Sequence, residues 1–165
     1  EFVLNFRKTG GKFLNCEDMN EVLEVFDSIL LENDWYETNV CCLNSELIKR
    51  FDGYNLTYMA KNNGASFMLS TCESLVADNG SILLSSNQLK GNKLWQLPDN
   101  IVIFATTSQI VSNISDGMRI IKMLNKNNIP VDISAIRHFG SMEKEDFMTY
   151  GNSNKNLYLI LLEDL

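Results

Sequence analysis

Short runs of consecutive apolar residues recur along the chain and predict buried β-strands. The clearest are residues 101–105 and residues 157–162, which carry no alternating polar side. Strands without a polar side are typical of a parallel sheet that is covered on both faces. Shorter runs predict further strands at residues 13–14, 40–43, 56–59 and 65–69.

Between these runs, apolar residues recur at helical spacing. Asp18 followed by Glu21 is typical of a capping box and predicts a helix that ends at residues 33–34. A second helix is predicted with Ser108 as its N-cap, because apolar residues follow at positions 110, 114, 118, 121 and 124. The alternation of strands and helices predicts an α/β fold with a mainly parallel sheet. Since neither an internal repeat nor a second domain is visible, residues 1–165 are interpreted as a single domain.

One hairpin interrupts the alternation. Asn79 and Gly80 stand between the apolar stretches 74–77 and 81–86. Asn-Gly between two apolar runs is a strong signal for a tight turn between antiparallel strands.

Composition narrows the possible functions. The chain has 165 residues, a formal net charge of −7 and 45% apolar residues. The negative charge argues against a general surface for nucleic acids or anionic membranes, and no apolar run approaches the roughly 20 residues of a membrane span. No signal peptide is visible, so we expect a cytoplasmic protein with its cysteines reduced.

The densest group of polar residues lies at the ends of the predicted strands between positions 70 and 81. Glu73 and Asp78 are the candidate catalytic residues, each as a base or a nucleophile. The candidate ligand-binding residues for a small anion are Thr71, Asn79, Gly80 and Ser81. The alternative interpretation is a polar hairpin turn whose Asp and Asn side chains satisfy their own backbone.

Other reactive residues give weaker signals. Cys72 is either a nucleophile or a buried thiol, and the adjacent Cys41 and Cys42 are interpreted as core residues because they suit neither a redox pair nor a zinc site. His138 is the only histidine, so a metal site built on several histidines is excluded. Lys90 and Lys93 either meet an acidic ligand or belong to a solvated loop.

Residues 71–82 read Thr-Cys-Glu-Ser-Leu-Val-Ala-Asp-Asn-Gly-Ser-Ile. This segment resembles the LUD domain family, the LutC-type lactate utilisation proteins, in its acidic residue, its apolar pair and its Asp-Asn-Gly-Ser turn. The likeness continues through the Leu-Pro step before residue 101 and through residues 108–111, and it extends over nearly the whole chain.

The resemblance implies a three-layer α/β/α fold similar to the sugar-phosphate isomerases and CoA transferases (the NagB, RpiA and CoA-transferase-like superfamily). It also implies an accessory subunit in the oxidation of lactate or a related organic acid. Iron–sulfur oxidoreductase subunits or a small anionic metabolite are the partners that it implies. This chain lacks the cysteine motifs of the iron–sulfur partner, so we expect it to hold no cofactor or cluster of its own.

This chain departs from the LutC-type pattern at two places, and these differences leave other functions open. LutC-type proteins carry an Arg in a segment near residues 138–146 and a His in a turn near residues 150–154, and this chain lacks both at those places. A CoA-transferase-like or sugar-phosphate-processing enzyme that uses Asp78 or Glu73, and a catalytically degenerate paralogue, therefore stay open. A homo-oligomer also stays open.

Overall fold

The structure is a computed structural model that describes residues 1–61, 64–93, 96–130, 133–136 and 155–164. Its helices are α1 (Phe2–Lys8), α2 (Met19–Asn33), α3 (Ser45–Arg50), α4 (Ser86–Leu89) and α5 (Ile114–Leu124). Its strands are β1 (Lys12–Cys16), β2 (Asn39–Cys42), β3 (Thr57–Met59), β4 (Phe67–Ser70), β5 (Ser74–Val76), β6 (Ser81–Leu84), β7 (Asn100–Thr106), β8 (Ile110–Val111), β9 (Ser134–Ile136) and β10 (Asn156–Leu162).

A six-stranded sheet forms the centre of the fold. Its strand order is β1-β10-β7-β4-β2-β3, and every neighbouring pair is parallel. The continuous apolar runs predicted as strands become β7 and β10, which lie side by side and are buried along most of their length. The predicted α/β class with a mainly parallel sheet is confirmed.

Side chains alternate between the two faces of this sheet. On one face Val102 and Phe104 pack with α2 and α3, where the Phe26 ring lies 4.5 Å from the Phe51 ring. On the other face Ile101 and Ile103 pack against α1 and a second, smaller sheet. Because both faces are covered by apolar groups, the strands carry no polar side.

The smaller sheet has the order β8-β5-β6-β9. The predicted hairpin forms its centre, since β5 and β6 are antiparallel. Helix α5 covers its outer face, and Gly117 allows the close approach: a Cβ at this position would lie 2.7 Å from Leu83 Cδ1.

The predicted N-cap of the second helix is wrong. Ser108 lies in a 3₁₀ turn, Thr107–Gln109, and the next two residues form β8 beside β5. Helix α5 begins at Ile114, where Asn113 accepts a hydrogen bond from the backbone N–H of Asp116 at 2.8 Å. The apolar residues 110 and 111 therefore follow strand pairing rather than helical spacing.

Helix α1 and strand β9 have no counterpart among the predicted elements. Two buried rings, Phe2 and Phe6, hold α1 against the core. His138 and the segments 138–146 and 150–154, on which the sequence interpretation drew, lie outside the described residues. Within the described residues no helix is both long enough and apolar enough to cross a membrane.

Candidate functional site

Three neighbouring strands of the large sheet end side by side in polar segments. Strand β4 ends at Ser70, its neighbour β7 ends at Thr106, and β10 beside β7 ends at Leu162. In α/β folds, ligands bind outside the carboxyl ends of parallel strands. The segments that follow these strands are therefore the first place to search for a site.

Hydrogen bonds join the three segments. The Gln109 side chain, which follows β7, donates from Nε2 to the backbone oxygen of Cys72 at 2.7 Å. Asp164, which follows β10, accepts from Thr107 Oγ1 at 2.7 Å and from the Ser108 N–H at 2.9 Å. The Gln109 bond holds the segment that contains Cys72 and Glu73 against the segment after β7, and the Asp164 bonds hold that segment against the end of β10.

Glu73 is held by three side chains from the segment after β6. Its Oε1 atom accepts hydrogen bonds from Ser85 Oγ at 2.6 Å, Asn87 Nδ2 at 2.9 Å and Gln88 Nε2 at 3.3 Å. The side chain is half-buried, and its second oxygen accepts no hydrogen bond from the described residues. A fixed carboxylate with one oxygen that accepts nothing from the described residues can accept a proton or a hydrogen bond from a ligand.

A cavity of about 380 Å³ lies next to Asn87, one of the donors to this carboxylate, and we call it the polar cavity; Glu73 itself does not line it. It is lined by Asn87, Met123, Leu124, Asn125, Lys126, Asn127 and Asn128. Four of these residues carry carboxamides, and Lys126 brings a positive charge. Asn87 connects the cavity to the carboxylate, because its side chain lines the cavity and donates a hydrogen bond to Glu73.

The predicted ligand residues Asn79, Gly80 and Ser81 lie elsewhere, in the turn of the β5–β6 hairpin. Glu73 precedes β5 and its N–H donates to Leu83 at the far end of β6, so Glu73 and this turn occupy opposite ends of the hairpin. The structure therefore does not bring these three residues together with Glu73.

Helix α1 covers the turn. Asn5 Nδ2 donates to the Ala77 backbone oxygen at 2.8 Å, and a Cβ on Gly80 would lie 2.4 Å from the Phe6 backbone nitrogen. Ser81 is fully buried, and its hydroxyl donates to Asn79 Oδ1 at 2.7 Å. The bonds of this turn are those of a packed, self-satisfied structural turn.

Two other predicted site residues have distinct positions. Thr71 stays at the carboxyl end of β4, half-buried, where its backbone oxygen accepts from Ser70 Oγ at 3.0 Å. Asp78 is exposed beside the turn, and its carboxylate accepts no hydrogen bond from the described residues. Thr71 therefore lies near Glu73 at the carboxyl end of β4, whereas Asp78 lies at the hairpin turn.

Comparison with known proteins decides the family. The LUD domain family model matches residues 1–162. The chain belongs to the LUD domain family. This family is associated with lactate utilisation. The fold is similar to a crystal structure of a DUF162 family protein from Deinococcus radiodurans, with a TM-score of 0.65 and 13% identity over 98% of this chain and 93% of that chain. No curated protein matches the sequence.

The cysteines of this LUD domain are buried in the core. Burial raises the pKa of the Cys72 thiol far above its ordinary value, and the neighbouring Glu73 charge raises it further. Burial is also the main reason why the pKa of Cys16 rises to about 11 and why the pKa values of Cys41 and Cys42 are raised. These thiols stay protonated at neutral pH, which favours the core interpretation of Cys72 over the nucleophile. The described residues contain no cluster of His, Cys, Asp and Glu suited to a metal ion.

Several residues of the candidate site were not predicted from the sequence: Ser85, Asn87, Gln88, Gln109, Lys126 and Asp164. A signal exists for one pair, because Ser85 followed by Gln88 is a capping-box pattern at the start of α4. Lys126 carries no such local signal, since it approaches Asn87 only through the packing of α5 on the smaller sheet.

The stability of this part of the fold is expected to depend on pH through Asp164. Hydrogen bonds from Ser108 and Thr107 lower its pKa from 3.8 to about 2. Because the folded-state pKa lies below the unfolded one, this contribution to stability is present above pH 3.8 and is lost as the pH falls through 2. We expect Asp164→Asn to be less sensitive than the wild type to acid over this window, as measured by urea midpoints. Asp52→Asn, a change at an exposed aspartate, is the control. An unchanged acid dependence in Asp164→Asn would refute the assignment.

Proposed function

We propose that this LUD domain is an accessory unit in the oxidation of lactate or a related organic acid, and that it binds a small hydroxy acid in the polar cavity. The observation that carries this proposal is the 2.9 Å hydrogen bond from Asn87 to Glu73, which joins a fixed carboxylate to a cavity with a positive charge. Family membership supports the substrate class.

The cavity and the Glu73 carboxylate, which lies behind Asn87, together offer complementary groups for both ends of a 2-hydroxy acid. Lys126 and the amide nitrogens beside it suit the carboxylate, because ammonium and carboxamide groups both donate hydrogen bonds. The second oxygen of Glu73 accepts a hydrogen bond from the hydroxyl. A 2-oxo acid has no such proton to donate, so the proposed site binds lactate more tightly than pyruvate.

Oxidation of a 2-hydroxy acid to a 2-oxo acid releases two electrons and two protons. We assign the electrons to an iron–sulfur oxidoreductase subunit, a partner class that the resemblance to LutC-type proteins supports. Glu73 is suited to accept the hydroxyl proton. In this proposal the domain positions the substrate and Glu73 takes the hydroxyl proton. The Cα–H bond breaks toward the partner subunit, which takes up its proton and the two electrons.

A titration of L-lactate by calorimetry tests the cavity. We expect Lys126→Met to weaken binding about tenfold, because the substitution removes a charged donor, and Asn87→Ala to weaken it as well. Lys49→Met is the matched control, since Lys49 is an exposed lysine paired with Glu46 at 3.8 Å, outside the residues that line the cavity. Absence of lactate binding, or equal losses in Lys126→Met and Lys49→Met, would contradict the proposal.

A second candidate function follows from Asp78. Its carboxylate is exposed and unoccupied among the described residues, as a carboxylate that forms an acyl adduct must be. The relation to CoA transferases and sugar-phosphate isomerases belongs to this second proposal. Mass spectrometry after incubation with acetyl-CoA tests it, and an unmodified Asp78 peptide would exclude acyl transfer from acetyl-CoA.

A further inference from the structure

A second cavity lies on the opposite face of the large sheet, between β1 and α2. Its volume is about 320 Å³, and we call it the β1–α2 cavity. It is lined by Lys12, Leu14, Val25, Ser28, Ile29, Glu32 and Tyr158. Pockets for small molecules combine this size with apolar walls and a few convergent polar groups. None of its lining residues lines the polar cavity.

The Tyr158 hydroxyl accepts two hydrogen bonds at this cavity and donates none to the described residues. It accepts hydrogen bonds from Lys12 Nζ at 3.2 Å and from Asn33 Nδ2 at 3.0 Å. The Asn33 amide is oriented by a second bond, because the same nitrogen donates to the Ile29 backbone oxygen at 2.9 Å. Both partners of the hydroxyl are therefore donors, and its own proton finds no acceptor among the described residues. Since Tyr158 is only 3% exposed, the acceptor for this proton is a water molecule or a ligand held in the cavity.

Lys12 adds a positive charge beside this hydroxyl. Its Nζ atom lies 4.6 Å from the centre of the Tyr158 ring, which fixes the ammonium over the ring face. None of the ion pairs between described residues includes Lys12. An ammonium carries three donors, so two remain for an anion next to the phenol.

The rest of the cavity is mainly apolar. Leu14 comes from β1, and Val25 and Ile29 come from one face of α2, four residues apart. Ser28 and Glu32 are exposed at the rim. The cavity thus has a polar end that donates hydrogen bonds and an apolar wall that extends away from it.

We propose that the β1–α2 cavity binds a short-chain aliphatic carboxylate. The carboxylate accepts hydrogen bonds from the Tyr158 hydroxyl and the Lys12 ammonium, and the hydrocarbon chain lies against Leu14, Val25 and Ile29. Glu32 opposes the bound charge from the rim. Lys12 and Glu32 are both exposed, so water screens the attraction and the repulsion alike, and the directed hydrogen bonds from Lys12 and Tyr158 hold the carboxylate. This binding site is separate from the polar cavity and does not depend on the function proposed for it.

Sodium hexanoate is the probe, and amide chemical shifts of the ¹⁵N-labelled protein are the readout. We expect saturable shifts at Leu14, Ser28 and Ile29. Lys12→Met and Tyr158→Phe should each weaken binding at least fivefold, and Glu32→Gln should strengthen it. Tyr158→Phe keeps the ring that packs 6.3 Å from the Trp35 ring, so it tests the hydroxyl in a folded protein.

Two controls isolate the contributions of the buried phenol and of the carboxylate charge. Tyr36→Phe removes a half-buried phenol that bonds Asp27, and we expect unchanged hexanoate binding. The alcohol 1-hexanol has a similar chain without the charge, and we expect it to bind at least tenfold more weakly. Equal binding of hexanol and hexanoate, unchanged affinity in Lys12→Met, or absence of shifts at the three reporter residues would overturn the proposal.

Discussion

Replacing Gly80 with alanine is expected to lower the free energy of unfolding by about 3 kcal/mol. Gly80 has a φ of +72°, a conformation that costs an L-residue roughly 1–2 kcal/mol. The added Cβ would also lie 2.4 Å from the Phe6 nitrogen and 2.5 Å from the Asn5 carbonyl carbon. Because both neighbours are backbone atoms, α1 must move away from the hairpin turn.

Gly64→Ala is the matched control for Gly80→Ala. Gly64 has a φ of +76°, and among the described residues no atom other than those of its chain neighbours lies within 4 Å of the Cβ position, so its substitution keeps the strain without the clash. We expect Gly64→Ala to lower the free energy of unfolding by about 1 kcal/mol, and the difference between the two variants measures the packing of α1 against the turn. Urea unfolding gives both values. Equal losses would contradict the account of this turn. A stable Gly80→Ala variant that no longer binds lactate would show that the turn is a ligand site.

Replacing Glu73 with glutamine is expected to weaken L-lactate binding about tenfold. The change preserves the shape of the side chain and one oxygen for Ser85, but it replaces a charged acceptor with an amide whose nitrogen only donates. Pyruvate binding should change much less, because a 2-oxo acid gives Glu73 no hydroxyl hydrogen bond. Calorimetry with both acids gives the comparison.

Glu24→Gln is the control for this change, since Glu24 is an exposed side chain on α2. We expect its affinity for both acids to equal that of the wild type. If Glu73→Gln binds lactate as the wild type does, Glu73 does not contact the ligand. If Glu73→Gln loses affinity for lactate and pyruvate equally, Glu73 shapes the cavity without recognising the hydroxyl.

The sequence predicts the large sheet well because its signal is local. A strand covered on both faces must be apolar throughout, and residues 101–105 meet this condition over five consecutive positions. The start of α5 is predicted wrongly, because Ile110 and Val111 fit a helical face as well as a short strand. Pairing with β5 decides between these possibilities, and the partner strand lies more than thirty residues away in the chain.

The candidate site was predicted only in part, for a geometric reason. Glu73 and the Asp78–Ser81 turn are close in sequence, which indicates one polar group. Strand β5 separates them, and an extended strand of three residues spans roughly 10 Å. Asn87 and Lys126 complete the site instead, and tertiary packing rather than a local motif brings these two together.

The most direct test of the account is to titrate the ¹⁵N-labelled protein with L-lactate and to follow every assigned amide. The account predicts saturable shifts that concentrate at Glu73, Asn87 and Lys126, with the turn residues Asn79 and Gly80 unchanged. Shifts that concentrate at Asn79 and Gly80, or no saturable shifts at the polar cavity, would contradict it.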